Sequence, residues 1–229
     1  MAPEWVELFR QSADQLGACL CHRMPGHSFA PGGVQLALCA RCTGVHLGLV
    51  CGVLLLAALG RAKADYPGDV WRMLALLALL APMGLDAISA GLGLRETDNL
   101  TRLATGAFAG PALASLLLVI INHAPARPPR RPMFKSVWEP FGLGLVTLAG
   151  VSLLVLLIRP GWIVLDGLSL LGVLLAGALI NLAALALHDR RTSGISMLRK
   201  APLRTLGLLI LLGVVELALL RGFALWLKS

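Results

Sequence analysis

Long apolar runs separated by short polar loops make up most of this chain. Six of them are long enough to cross a bilayer, because about 20 apolar residues in a helix span about 30 Å of hydrocarbon. The six runs cover residues 37–59, 70–91, 99–122, 137–158, 162–187 and 203–227. Since a helix satisfies its backbone hydrogen bonds internally, the pattern predicts an all-α integral membrane protein with about six transmembrane helices.

A loop rich in proline and arginine divides these runs into two groups of three. Because proline cannot continue the interior of a helix, residues 126–136 are predicted to form a linker. Before it we predict an amphipathic segment with a Cys/His loop at 1–36, and a three-helix membrane domain with a CxxC motif at 37–125. After it we predict a three-helix C-terminal extension at 137–229.

Composition and charge support a membrane class. The chain is 57% hydrophobic and 14% charged, whereas soluble domains are about 45–50% apolar and about 25% charged. The net charge is +8, but no basic stripe interleaved with aromatic residues is present, so nucleic acid is not expected as a partner. The expected surroundings are the lipid bilayer of a cell (plasma) membrane, crossed several times.

The basic residues also predict an orientation. Of the 20 lysines and arginines, twelve fall in the segments 61–72, 127–135 and 190–204, which the helix count places on one side of the membrane. Cytoplasmic loops carry the excess of positive residues. The opposite side, which holds the N-terminus and the start of the first helix, is therefore predicted to be extracytoplasmic.

The densest chemical signal lies between residues 19 and 46, which hold four of the five cysteines and three of the five histidines. Thiolate sulfur and imidazole nitrogen are good ligands for zinc. Cys39 and Cys42 share one turn at the start of the first predicted helix, and the preceding loop can fold back to bring Cys21 and His22 over them. These four residues are predicted to bind zinc or another divalent metal.

Two other roles fit the same cysteines. A CxxC pair at the outer end of a membrane helix resembles quinone-linked disulfide-forming enzymes, because a helix N-terminus favours a thiolate. Cys19 and Cys21 would then form the second redox pair. Cysteines in membrane helices can also be small apolar fillers, an interpretation that suits Cys51. The residues alone leave metal binding, dithiol chemistry and packing open.

A second polar cluster is predicted at the turn between the second and third helices. Charged groups inside membrane segments usually pair with one another or face a cavity. The candidate catalytic residues are Asp86, Arg41 and Arg102. The residues that could hold an anionic group, such as a lipid phosphate or a carboxylate, are Arg23, Arg95, Asn99 and Arg102. The helix count places this cluster on the same membrane face as the Cys/His cluster.

Glycine and alanine occur throughout the six runs, which suits close packing of helices in lipid. Gly106 and Gly110 form a GxxxG motif in the third run. Because this spacing arises often by chance in glycine-rich helices, chance is the interpretation favoured from the sequence.

Three stretches resemble a known family. They are CHRMPGHSF from residue 21, GGVQLALCARCTGVHLG from residue 32 and GLDAISAGLGLRETDNLTRLATGAFAG from residue 84. Together they are similar to the predicted membrane proteins of domain-of-unknown-function family 2085, over roughly residues 20–125. His46 stands near where that family often has tyrosine, which argues against His46 as a ligand. The resemblance strengthens the candidate site and implies no particular reaction.

Three function classes follow. A metal ion with arginines and Asp86 beside it would permit metal-assisted hydrolysis or transfer on a lipid-like substrate. A transporter or metal-handling protein is the second class, and a purely structural membrane protein is the third. The sequence does not decide whether the chain is an enzyme.

Overall fold

The computed structural model describes residues 3–21, 24, 26–124, 128–158, 161–188 and 193–226. Within these ranges the chain forms nine α-helices joined by short connections. They are α1 (Glu4–Leu20), α2 (Ala40–Ala58), α3 (Val70–Ala78), α4 (Ala81–Gly91), α5 (Asn99–Asn122), α6 (Glu139–Leu157), α7 (Trp162–His188), α8 (Gly194–Lys200) and α9 (Pro202–Trp226).

Five segments are long and apolar enough to cross a membrane. They are α2, the combined segment Val70–Gly91, α5, α6 and α7. In α9 the apolar stretch among the described residues is shorter, Pro202–Gly213. Large aliphatic side chains such as those of Leu54 and Leu145 lie exposed on the outer surface, where lipid would cover them. The all-α membrane class is confirmed, while the described residues supply five spans where about six were predicted.

The segment predicted at 70–91 is two helices in place of one. Helix α3 ends at Ala78, and α4 begins at Ala81 with Pro82 in its first turn. Proline has no amide hydrogen and its ring clashes with the carbonyl four residues earlier, so the hydrogen-bond ladder is interrupted here. The start of α3 is fixed by Asp69, whose carboxylate accepts a bond from the backbone nitrogen of Arg72 at 3.0 Å.

Helices α2 and α5 form the most extensively packed pair of described helices. A Cβ atom added at Gly44 or Gly48 would overlap the backbone of α5, and one added at Gly106 or Gly110 would overlap the backbone of α2. Glycine allows two backbones to approach this closely. The favoured interpretation of the Gly106–Gly110 spacing as chance was therefore wrong, because both glycines lie in this interface.

The helices of the C-terminal half share a core with this pair. Both α6 and α7 pack against α2 and α5. One buried cluster combines Leu47 of α2, Leu103 and Ala107 of α5, and Val151 of α6. The central pair is thereby enclosed, and its N-terminal ends are held in a fixed relation to α7.

Far from the CxxC motif, the segment at 128–136 docks on the loop after α2. Arg61 donates to both oxygens of Glu139, at 2.5 Å and 3.0 Å, and to the carbonyl of Met133 at 3.0 Å. Asp65 accepts from the backbone nitrogens of residues 130 and 131 at 3.0 Å and 2.7 Å. The carboxylate of Glu139 raises the pKa of Arg61 above its ordinary value. This group of contacts is called the linker clasp below.

Candidate metal centre

Three cysteines meet at the N-terminus of α2. The Sγ atoms of Cys21, Cys39 and Cys42 all lie within 4.8 Å of one another. Cys39 is the residue that caps α2, and Cys42 lies in its first turn. Zinc–sulfur bonds of about 2.3 Å place two sulfurs on one ion roughly 3.5–4 Å apart, so small rotations of these side chains would suffice to coordinate a single ion.

The loop before α2 returns over the start of that helix and brings Cys21 to the CxxC pair. The carbonyl of His27 accepts from the backbone nitrogen of Ala40 at 2.8 Å. The backbone nitrogen of Ala37 donates to Oδ1 of Asp166, a buried residue of α7, at 2.9 Å. Gly26 supplies the turn with φ +83°, a left-handed conformation that glycine adopts without strain. The loop is thus tied to two helices.

The other residues of the predicted Cys/His set are distributed differently. His22 and Arg23 lie outside the described residues. Cys19 donates to the carbonyl of Gln15 at 3.3 Å within α1, and it is not part of the sulfur cluster. All five cysteines are described, and none forms a disulfide.

His27 is a residue of this region that the sequence did not single out as a ligand. It is half-buried in the loop over α2. Burial, followed by the charges of Arg102 and Arg41, lowers the pKa of His27 below its ordinary value of 6.5, while Cys21 opposes the shift. The imidazole is therefore held in its neutral form, which is the form that binds metals. In the sequence, the position of His27 six residues after Cys21 was the feature that could have identified it as a candidate ligand.

Asp86 joins the CxxC helix to the turn before α5. Its side chain is 1% exposed. Oδ2 accepts from Nε of Arg41 at 3.0 Å and also from Nη2 of the same residue, and Oδ1 accepts from Nη2 of Arg95 at 2.6 Å. Both carboxylate oxygens are therefore occupied by guanidinium groups. The two predicted polar clusters meet through this contact.

Arg102 differs from these two arginines. It is 7% exposed, its Nε atom has no partner among the described residues, and it forms no ion pair there. The neighbouring Asn99 donates to the carbonyl of Ser28 at 3.3 Å, yet Oδ1 of Asn99 and Oγ of Ser28 are also buried without a partner. A buried cation without an acidic partner is costly, so Arg102 is a candidate for contact with an anion or with water.

The matched region of known proteins coincides with these residues. The model of a family described as Predicted membrane protein (DUF2085) matches residues 21–116. The chain belongs to this family. The DUF2085 segment contains Cys21, the CxxC pair, Asp86 and Arg102, and it ends within α5, so that α6 to α9 lie outside it.

Two relatives each match 44% of the chain. An uncharacterized protein of Methanocaldococcus jannaschii is 33% identical over 101 residues, which is 44% of this chain and 63% of that protein. An uncharacterized protein of Methanothermobacter thermautotrophicus is 36% identical over 101 residues, which is 44% of this chain and 86% of that protein. No solved structure matches the chain. The names of these relatives attach no activity to the matched segment.

Proposed function

We propose that this protein binds a divalent, zinc-like metal ion through Cys21, Cys39 and Cys42 at the outer face of the cell membrane. The convergence of the three Sγ atoms within 4.8 Å is the observation that carries this proposal. Binding of a metal ion displaces the protons of the cysteine thiols. Thiolate is in turn the ligand that structural and catalytic zinc sites share.

Three protein ligands leave one position on a tetrahedral ion. We propose that a histidine of the N-terminal loop fills it: His22 by its place beside Cys21 in the sequence, or His27 by the path of the loop. Separate His22→Ala and His27→Ala variants distinguish the two, since only the loss of the true ligand weakens metal binding. Equal affinity in both variants would assign the fourth position to water or substrate, which is the arrangement of catalytic zinc sites.

Beside the metal we propose a site for the anionic head group of a lipid-like ligand, a phosphate or a carboxylate. Asp86 neutralises much of the charge of Arg41 and Arg95, whereas Arg102 keeps an unpartnered donor in a buried position. Arg23 belongs to the same proposal from the sequence alone. Native mass spectrometry with phosphatidylglycerol and phosphatidylcholine tests it: Arg102→Gln is expected to lose the preference for the anionic lipid.

The metal site is tested by elemental analysis of the full chain purified in detergent, with free thiols counted in parallel. The expected result is about one zinc per chain with reduced cysteines. Cys21→Ser and Cys42→Ser are expected to lower zinc affinity at least tenfold, whereas the matched control Cys51→Ser keeps it. An absence of metal together with oxidised cysteines would overturn the metal proposal in favour of thiol–disulfide chemistry.

We further propose that α9 is the sixth span and that both termini lie outside the cell. The support is the length of α9 and the concentration of basic residues in the segments 61–72, 127–135 and 190–204. In a variant whose five native cysteines are replaced by serine, a cysteine introduced at Lys135, which is exposed, should react with a membrane-impermeant reagent only after the cells are opened. Labelling of intact cells would reverse the orientation.

A further inference from the structure

A partly open cavity lies on the other side of α2 from α5. Its volume is about 790 Å³, and it is lined by the end of α1 and by residues of α2, α7 and α9. Leu20 lines it from α1 and His46 from α2, and aliphatic side chains of α7 and α9 form most of the remaining wall. Cavities of about 300–1,000 Å³ are the usual size for small-molecule sites.

The polar groups in this wall are few and belong to three helices. Asn181 of α7 is 4% exposed, and its Nδ2 donates to Oε2 of Glu216 of α9 at 3.2 Å. On the opposite wall, Nδ1 of His46 is bonded to the carbonyl of Cys42 at 2.7 Å, which leaves Nε2 as an acceptor. No lysine or arginine is among the described residues that line the cavity.

Glu216 is the only acidic residue among the described residues of this wall, and it forms no ion pair within the described part of the chain. A carboxylate in apolar surroundings is costly unless a charge of opposite sign or strong donors accompany it. One amide donor is the contact that the structure provides. A ligand that fits this wall therefore carries a positive charge on an apolar body.

We infer that this cavity binds a lipophilic cation, whose charge is paired with Glu216 and whose apolar groups fill the space between α7 and α9. Anions are disfavoured by Glu216, and inorganic cations would leave the aliphatic wall unfilled. The site is separate from the proposed anion site. Gly44 and Gly48 of α2 contact α5 near Arg102, whereas the backbone at His46 contacts Gly172 of α7.

The test uses two probes of nearly equal size and shape and of opposite charge, tetraphenylphosphonium and tetraphenylborate. Binding of each is measured by equilibrium dialysis to the full chain in nanodiscs of zwitterionic lipid, against empty nanodiscs. The wild-type protein is expected to bind tetraphenylphosphonium above the nanodisc background and tetraphenylborate at the background level. Glu216→Gln is expected to weaken binding of the cation at least tenfold. Equal binding of the two probes, or unchanged binding by Glu216→Gln, would overturn the inference.

A steric variant tests the location without touching the charge. Gly177 lines the cavity, and a Cβ placed there would meet nothing within 4 Å. Gly177→Leu is therefore expected to occupy the cavity and to weaken tetraphenylphosphonium binding at least tenfold. Gly167→Leu is the matched control, because Gly167 lies in the same helix with the same open space but does not line the cavity. Equal binding by the two variants would place the cation elsewhere and overturn the site.

Discussion

Two regions of the molecule bring arginines and carboxylates together: the linker clasp and the cysteine end, where the loop before α2 meets the starts of α2 and α5. They differ in how many of their buried polar atoms have a hydrogen-bond partner. In the clasp, the guanidinium group of Arg61 donates hydrogen bonds to both carboxylate oxygens of Glu139 and to a backbone carbonyl. Asp65 accepts hydrogen bonds from two backbone nitrogens. At the cysteine end, several buried polar atoms have no partner among the residues described. They belong to Ser28, Thr43, Asn99 and Arg102.

This difference separates a structural contact from a candidate site. Buried polar groups in native proteins are nearly always hydrogen-bonded, so a buried group without a partner requires an explanation, such as a bound ion, a water molecule or a catalytic role. The clasp needs nothing further to complete it. The cysteine end gathers three sulfur atoms and an excess of guanidinium over carboxylate groups, and we propose that a metal ion and an anion complete it.

The largest effect is expected where both regions are harmed together, by forcing α2 away from α5. Gly110→Leu would drive a side chain into the backbone of α2 at Gly48 and Leu49, which should cost more than about 3 kcal/mol and prevent a folded product. Gly150→Leu is the control, because a Cβ at that position meets nothing within 4 Å. The recovery of monodisperse protein from a detergent extract is the measurement, and equal recovery of the two variants would contradict the glycine interface.

The next largest effect isolates the clasp. Arg61→Ala removes three hydrogen bonds and leaves Glu139 without its cation, so the free energy of unfolding should fall by about 2–3 kcal/mol. Zinc content per folded chain should not change. Lys63→Ala, at an exposed neighbouring position, serves as the control in thermal unfolding monitored by circular dichroism. A loss of zinc in Arg61→Ala would mean that the two regions are not independent.

A smaller effect of opposite sign is expected at the cysteine end. Because Arg102 is a buried cation without an acidic partner in the described structure, Arg102→Gln should leave the free energy of unfolding within about 0.5 kcal/mol of the wild type, or raise it. The same variant loses the proposed anionic ligand. If Arg102→Gln instead destabilises the protein as much as Arg61→Ala does, Arg102 is a structural residue.

The smallest effect is a pH dependence from His27. Its pKa is lowered in the folded protein, so the unfolded chain binds the proton more tightly. Neutral His27 therefore makes its full contribution to the free energy of unfolding above the ordinary pKa of about 6.5. This contribution is lost as the pH falls through the pKa of His27 in the folded protein. With metal removed by a chelator, the unfolding temperature should fall as the pH is lowered from about 6.5 towards the lowered pKa of His27. His27→Gln should flatten this slope, and an unchanged slope would exclude His27 as its source.

Much of the fold was predictable because the length of an apolar run decides whether a helix can span the bilayer. The break at Pro82 was visible in the sequence but was outweighed by the continuous apolar run around it. The role of Gly106 and Gly110 required knowledge of the partner helix, although Gly44 and Gly48 repeat the same spacing. The division into units at 126–136 stays a prediction.

The candidate site was predictable in its residue types and less so in its charges. Charged residues are costly in membrane segments and so indicate a site, and the clustering of four of the five cysteines between residues 19 and 46 indicated it independently. Side-chain geometry decides which arginine keeps a donor without a partner, and the sequence does not contain that geometry. Arg41 and Arg95 donate to Asp86, whereas Nε of Arg102 has no partner among the described residues. The cavity beside Glu216 depends on how α7 and α9 pack, and no local sequence pattern encodes that.

The most direct test of the metal centre is X-ray absorption at the zinc edge of the purified protein. The expected spectrum shows about three sulfur neighbours at about 2.3 Å and about one lighter neighbour at about 2.0–2.1 Å. In Cys42→Ser the sulfur count should fall to about two, while Cys51→Ser should keep the wild-type spectrum. A wild-type spectrum with only nitrogen and oxygen neighbours would contradict the account.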